Sequence, residues 1–455
     1  LLVMQSNGGM LDADAIADMP VQTVMSGPAA GVMGAARLAG YHGVDRLITY
    51  DLGGTSLDVS LVVDGEPATS SVTEIEFGIP VGTSMIDVRA IGAGGGSIAR
   101  VDEGGILQIG PESAGADPGP VCYASGGADP TLTDALVVLG LINPDRSITG
   151  SKLDVTGAGK VIFKRVAEPL DLSLEQAAEA IVTVATNRIS GSLRRISIDR
   201  GHDPRDFSLF AFGGGGPLFA SPLLRELGTR DALIPTFPGI ASAWGCAVAD
   251  VRRDFVRMLN KRLTDIDFDD VAATIDEHSS RGKQFIDSSG IPVDRIDIVI
   301  EADTGFEGQT HVIRTPLSAD ALDDDDVRRR FRAAYERHYG VEQIEFEGLA
   351  DLMDELPIRI LNVRTSVLGV RSALSLKELI DPPVSSLSDA SLGDRSVYFE
   401  GRMRPCPTYD RLRLPWDARI EGPAVVEQED STFWIEPGVS GHVLEGGSIR
   451  LQVAT

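Results

Sequence analysis

The chain has 455 residues, of which 43 % are hydrophobic and 5 % aromatic, and its formal net charge is −26. That length exceeds what one core supports and predicts two or three domains, while the negative charge argues against nucleic acid, whose phosphates need a basic surface. No apolar run approaches the ~20 residues of a membrane span, and no signal peptide is visible.

In chain order, Leu1–Met4 reads as a strand of interior type, so a further N-terminal portion is expected outside the given sequence. Gln5–Gly9 (QSNGG) is a turn. Asp12–Met19 is a short helix stopped by Pro20, and Val21–Met25 an extended run into Ser26-Gly27-Pro28. Ala29–Ala39 predicts a closely packed helix whose Gly-rich start offers free N–H groups to an anion; packing alone explains its small residues equally well.

The run from Arg46 to Val63, RLITYDLGGTSLDVSLVV, organises the rest. Two β-prone segments meet at Gly53-Gly54-Thr55 and predict a tight hairpin. Side chains alternate with period two, so Asp51 and Asp58 are expected diagonally across one face. The glycines leave backbone N–H groups bare and Thr55 adds a hydroxyl. Such a turn can wrap phosphate oxygens while an aspartate holds Mg²⁺ directly or through water. An ordinary hairpin with two solvated aspartates is the competing reading.

Beyond it, Ser70–Phe77 is a third strand and Pro80–Ala90 a mixed segment. Gly92–Ser97 is a dense glycine loop, with Gly94, Gly95 and Gly96 at its centre. A run of this kind costs backbone entropy, which points to close approach of a ligand or of backbone. A plain flexible loop is the alternative. Gly110–Tyr123 is a long aperiodic loop carrying Glu112, Asp117 and Cys122, of a length that marks function or a lid. Thr131–Leu141 starts a helix. Ser173–Ser197 is the clearest one, capped by Asp171 or Ser173, with Ile181, Ala185, Ile189, Leu193 and Ile196 at helical spacing.

Leu209–Phe212 is a buried strand, followed by Gly213, Gly214, Gly215, Gly216 and Pro217 and by a helix over Leu218–Leu227. Strand, four glycines and helix together predict close approach to a flat ligand or a phosphate, against a purely structural turn. Asp231–Ile234 is another strand, and a small-residue helix covers 240–250. From 251 the Gly-rich loops vanish and charge rises. Strands at Asp297–Glu301 and Thr310–Arg314 alternate with a helix at Asp323–His338. Asp381–Asp394 is a linker or long loop, and strands at Val397–Phe399, Ala424–Val426 and Ile449–Val453 close the chain. His311, His338 and His442 lack metal-ligand spacing.

The six lysines stand against 35 arginines. An acid-rich, lysine-poor surface suits concentrated salt, where screening tames self-repulsion, so a halophilic host is expected. Cys122, Cys246 and Cys406 form neither a disulfide framework nor a metal cluster, which fits a reducing cytoplasm.

These features together resemble the nucleotide-binding fold of sugar kinases and actin, in which ATP lies between two related lobes. More closely, the chain resembles the hydantoinase A/5-oxoprolinase family, including the N-methylhydantoinase A type and the β-type subunits of acetone and acetophenone carboxylases. The blocks that carry the match are QSNGG at 5–9, SGPAAGV at 26–32, DLGGTSLDVSLV at 51–62, GAGGGSIA at 92–99, GPESAGADPGPVCY at 110–123 and FGGGGP at 212–217. Later blocks are GQ at 308–309, HYG at 338–340, YDR at 409–411 and GPAVVEQEDST at 422–432. Where relatives read FGGAGPLHA this chain has Phe219, so any role of that family His is lost here.

The resemblance implies an α/β fold: an actin/sugar-kinase-like (ribonuclease H-like) lobe at 21–250, the end of an otherwise missing first lobe at 1–20, and a mixed, β-rich accessory domain at 251–455. It implies a cytoplasmic, oligomeric, ATP- and Mg²⁺-dependent amidohydrolase that phosphorylates the carbonyl of a lactam, hydantoin or 5-oxoproline. Asp51, Asp58 and Thr55 would be catalytic, with Asp51, Asp58 and Asp117 toward Mg²⁺. Gly53, Gly54 and Thr55 would meet phosphate, Gly213–Gly216 adenosine, and Gly94–Gly96 the cleft. A hydantoinase B-type subunit is the implied partner, and the chain alone is expected to be inactive. A ketone carboxylase subunit and a non-catalytic scaffold are the alternatives.

Overall fold

A computed structural model describes residues 1–70, 73–75, 79–81, 83–145, 152–309, 311–339, 356–372 and 384–454. Parts of the expected strands at Ser70–Phe77 and Thr310–Arg314, Gly340 of the HYG block and the start of the Asp381–Asp394 linker lie outside the described residues. The chain forms two compact units, one of residues 1–26 and 248–373, the other of 27–247 and 374–455. The expected boundary near 251 lies beside the break at 247/248, but the residues after it do not form one domain, because the chain returns to the second unit after 373.

That second unit is built on a nine-stranded mixed sheet. Leu47–Leu52 pairs antiparallel with Leu57–Val63 and parallel with Ser208–Phe212, which pairs parallel with Ala232–Ile234. The next neighbour is the C-terminal strand Ile449–Val453, antiparallel to Ala232–Ile234, followed by Val439–Val443 and Arg419–Glu421. Three strands near the C-terminal end, Arg419–Glu421, Val439–Val443 and Ile449–Val453, thus extend the very sheet that carries the hairpin, rather than forming a separate β-rich domain with residues 251–373. The order of short strands gave no hint of this, since strand pairing between distant segments is set by tertiary contact.

Alternation fixes which face each hairpin residue takes. Ile48, Tyr50 and Leu52 pack with Ile181, Ala185, Ile189 and Leu193 of the helix Leu174–Ile198. Leu47 and Val62 pack on the other face, with Ala29, Val32, Ala35 and Leu38 of the helix Ser26–Tyr41 and with Phe210, Phe212 and Leu233. Helices thus cover both faces, the usual setting of a largely buried sheet. The small residues of Ser26–Tyr41 are buried against Phe210 and Phe212, so packing accounts for them. The helix Leu174–Ile198 starts at a capping box: Ser173 Oγ accepts from the Gln176 N–H at 3.2 Å and Gln176 Oε1 from the Ser173 N–H at 3.0 Å.

Some expectations shift. Val21–Met25 is not extended; Pro20 fixes the first residue of a 3-10 turn, Pro20–Thr23. The supposed aperiodic loop from Gly110 begins as the end of a strand, Leu107–Ser113, paired with Ser97–Val101.

The first unit has a six-stranded sheet, in which the long strands Val251–Arg262, Ile358–Val370 and Arg295–Phe306 are central and antiparallel. Ile275, Val327 and Phe331 of the helices Phe268–Ser288 and Asp324–Tyr339 share a core with Ile300, Ala302 and Val363. The strand Val251–Arg262, the strand Ile358–Val370 and the helix Phe268–Ser288 were not anticipated. Their alternation is masked by charges that the fold pairs: Arg364 reaches Asp303 on a neighbouring strand at 2.8 Å, and Arg252 reaches Asp254 two residues along its own strand at 2.8 Å.

Candidate functional site

The hairpin strands change character toward their turn. On the face that holds Leu47 and Val62, the following residues are Thr49 and Ser60, both buried, and then Asp51 and Asp58. The register pairs Asp51 directly with Asp58, so the two carboxylates are immediate neighbours and not diagonal ones. Burial pushes the Asp51 carboxyl up to about 6, helped by the Asp58 charge, and burial also raises Asp58. Two carboxylates disfavouring each other's charge in a half-buried site constitute an unmet demand for a cation. Oxygen donors from Asp51, Asp58 and the Thr55 hydroxyl suit a hard divalent ion such as Mg²⁺, which keeps several waters and needs only one or two carboxylates. Asp117 does not join them: it is exposed, and among the described residues no three His, Cys, Asp or Glu side chains gather as a metal-binding group.

The glycines divide into two kinds. Gly95 and Gly96 donate their N–H groups to the carbonyls of Gly53 and Gly54 at 2.9 and 2.6 Å, and Gly94 donates to Ser97 Oγ at 2.9 Å. A Cβ on Gly94 would lie 2.6 Å from the Thr55 nitrogen. The glycine loop is therefore a buttress laid against the hairpin turn, and Thr133 locks it by donating from both N and Oγ1 to the Gly95 carbonyl. At the turn itself, Gly53 N–H donates to the Ser56 carbonyl at 3.0 Å. The exposed Gly54 and Thr55 keep backbone N–H groups without a partner among the described residues.

The second glycine run divides in the same way. Gly213 has φ +79° and its Cβ position overlaps Asp51 Oδ1, so a side chain there is excluded by the aspartate itself. Gly215 N–H donates to the Leu52 carbonyl at 3.0 Å, and Tyr50 Oη donates to the Gly216 carbonyl at 3.1 Å. Gly213 and Gly216 are buried, whereas Gly214 and Gly215 open onto a cavity.

That cavity measures ≈ 410 Å³. Gly53, Gly54 and Gly95 line it together with Gly214 and Gly215, and an apolar wall includes Leu132, Leu136, Ile142, Leu218 and Phe219. Phe219 is fully buried among apolar side chains. Three contributions were not foreseen as site residues: Tyr123, Thr133 and the segment Glu427–Thr432. Tyr123 is placed by Asp134, a buried carboxylate that caps the helix Leu132–Val138 and accepts the Cys122 N–H at 2.7 Å. The Thr131…Asp134 capping box was readable in the sequence; the return of Glu427–Thr432 was not, although the block GPAVVEQEDST had been noted.

Profile comparison matches residues 1–255 to the Hydantoinase/oxoprolinase model and residues 270–445 to the Hydantoinase/oxoprolinase C-terminal domain. The chain belongs to the hydantoinase/oxoprolinase family. Among its relatives, caprolactamase subunit alpha of Pseudomonas jessenii is 32 % identical over 95 % of this chain and 62 % of its own length. The acetophenone carboxylase gamma subunit of Aromatoleum aromaticum, a gamma and not a β-type subunit, is 31 % identical over 96 % of this chain and 60 % of its own. The crystal structure of the ATP-dependent caprolactamase from Pseudomonas jessenii superposes with a TM-score of 0.82 at 30 % identity, covering 99 % of this chain and 65 % of that one. The nucleotide-free acetone carboxylase structure gives a TM-score of 0.75 at 26 % identity, over 100 % and 64 %. The chain thus spans under two thirds of the length of these relatives. Among the described residues no helix is long and apolar enough to cross a membrane.

Proposed function

We propose that the second unit is the nucleotide-binding lobe, of actin/sugar-kinase (ribonuclease H-like) type, of a cytoplasmic ATP-dependent enzyme acting on a cyclic amide. The observation that carries this reading is the cavity lined by Gly53 and Gly54 of the hairpin turn and by the flat backbone at Gly214 and Gly215, at the turn end of the strands that pair Asp51 with Asp58. Polyphosphate fits the first, a nucleoside the second, and a cation the third. Bound Mg·ATP would supply a phosphoryl group to the oxygen of a lactam, hydantoin or 5-oxoproline carbonyl, so that ring opening has phosphate to expel.

The chain's own part is positioning and charge. Asp51 and Asp58 hold the cation or its waters. Gly54 and Thr55 orient phosphate oxygens through N–H and hydroxyl, while the Gly94–Gly96 loop and Thr133 keep that turn rigid. Phe219, Leu218 and Leu136 exclude water from the nucleoside end. A hydantoinase B-type subunit would complete the substrate side. The likeness to the acetone carboxylase structure favours a second reading, a ketone carboxylase subunit with the same nucleotide chemistry.

Calorimetric titration of the chain with ATP, with and without Mg²⁺, tests the common core. Binding should be much tighter with Mg²⁺ than without it; no binding, or equal affinity in both conditions, sinks the proposal. Phosphate release with a B-type partner then separates the two readings, since only the carboxylase needs ketone and bicarbonate.

A further inference from the structure

The nucleotide cavity has a second wall that comes from the far end of the sequence. The strands Ala424–Glu427 and Thr432–Ile435 form a hairpin, and its turn lines the cavity beside Gly214. The turn is held from several sides. Gln428 N–H donates to the Ser431 carbonyl at 2.8 Å, Ser431 Oγ reaches the Gly214 carbonyl at 3.5 Å, and Ser221 Oγ donates to the Trp434 carbonyl at 2.9 Å.

This turn presents three carboxylates, of which only Glu429 is exposed. Glu427 is buried and bonded to the Arg395 guanidinium and to Asn143 Nδ2. Asp430 also lines the cavity, but its carboxylate lies where a Cβ on Gly239 would sit, its charge acts on the buried Arg411, and its Oδ1 is buried without a hydrogen-bond partner among the described residues. Glu429, at the tip, is exposed and lines the cavity, with no hydrogen bond or ion pair among the described residues. A turn held this way presents the exposed Glu429 carboxylate at the cavity, pre-organised for a donor that the protein does not supply.

Resting on the nucleotide reading above, we infer that Glu429 is a specificity residue that accepts hydrogen bonds from the sugar hydroxyls of the bound nucleotide. A carboxylate repels polyphosphate, so the phosphates lie toward the bare N–H groups of Gly54 and Thr55. The vicinal hydroxyls of a ribose are neutral paired donors, which a carboxylate can accept with both oxygens. The Gly214–Gly215 backbone next to this turn leaves room for the flat nucleoside.

The test is calorimetric titration of the 455-residue chain and its Glu429→Gln and Glu429→Ala variants with three Mg²⁺-bound probes: ATP, 2′,3′-dideoxy-ATP and tripolyphosphate. Hydrogen bonds to a charged group predict that the wild type prefers ATP over the dideoxy compound by about tenfold or more. Both variants should lose that preference while binding tripolyphosphate as the wild type does. A wild type that does not discriminate, or variants that keep the preference, overturn the assignment. Variants that lose tripolyphosphate as well overturn it too, since Glu429 would then act on the cation. If the wild type binds none of the three probes, the nucleotide reading itself fails.

Discussion

The two walls of the cavity are made differently. One is backbone: Gly53, Gly54, Gly214 and Gly215, set by a hairpin and by the turn after Ser208–Phe212. The other is side chains on the turn Glu427–Thr432, more than 200 residues further on and fixed by buried polar contacts. A wall of glycines is local, so it announces itself as a run in the sequence. A wall of side chains depends on which strand pairs with which, and nothing within a few residues of Glu429 says where it will lie. The two should also fail differently when broken.

The largest effect is expected on the side-chain wall. Arg411 is buried, donates to the carbonyls of Gly447 and Pro235 at 2.6 and 2.8 Å, and stacks over Phe433 at 4.7 Å. Burial pulls its guanidinium down to about 9, with the Asp430 charge opposing. Arg411→Met would leave two carbonyls and Asp430 unanswered in the interior, a loss of about 3–5 kcal/mol. Denaturant unfolding measures it. A variant as stable as the wild type would mean that the Glu427–Thr432 turn does not hang on this cation.

Next comes Asp51→Asn on the backbone wall. It should weaken Mg·ATP by about a hundredfold and leave metal-free ATP little changed, because the cation loses one of two charges. Its stability effect has the opposite sign. Asp51 has a raised carboxyl, about 6 when folded against an ordinary value of 3.8. The protonated form is therefore favoured by the fold, and that stability is fully present below pH ~4 and lost as pH rises through ~6. The substitution removes the charge, so at pH 8 the variant should melt higher, by about 2–3 kcal/mol of stability. The gap should close on acidification below pH ~4. A variant that melts lower at pH 8 would remove the case for a poised carboxylate pair.

Glycines that look alike in sequence are the third comparison. Gly94 and Gly54 both sit in Gly-rich stretches, yet a Cβ on Gly94 meets the Thr55 nitrogen at 2.6 Å while a Cβ on Gly54 meets nothing within 4 Å. Gly94→Ala should cost about 1–3 kcal/mol, because backbone cannot move aside as a side chain can. Gly54→Ala should fold like the wild type within about 0.5 kcal/mol. Thermal melts of the pair decide, and equal losses would mean that the buttress is not tight.

This contrast states what the sequence could and could not convey. Asp51, Asp58 and the glycine runs were legible because chemistry-bearing residues lie within a few positions of a turn. The ends of Leu174–Ile198 were legible because a capping box is a local signal. The glycine roles were not: Gly213 is required by Asp51 and Gly94 by Thr55, contacts made across sequence gaps of 162 and 39 residues. The long strands Val251–Arg262 and Ile358–Val370 were hidden because Arg252, Asp254 and Arg364 break the apolar alternation; Arg364 is answered by Asp303 on a neighbouring strand, and Arg252 and Asp254 by each other along their own. Membership of the sheet by Ile449–Val453 had no local signal at all, since a five-residue strand reads the same wherever it pairs.

The smallest expected effect is a difference in salt response. The backbone wall binds charge, so raising KCl from ~0.1 to ~1 M, which shortens the Debye length from ~10 to ~3 Å, should weaken tripolyphosphate several-fold. The side-chain wall accepts from neutral hydroxyls, so the ratio of ATP to dideoxy-ATP affinity should stay constant within about twofold over the same range. The melting temperature of the free chain should meanwhile climb, because a net charge of −26 repels itself and screening relieves it. Titrations and melts at matched KCl separate the three responses. A discrimination ratio that falls together with tripolyphosphate affinity would show that both walls work through charge, and the distinction between them would not survive.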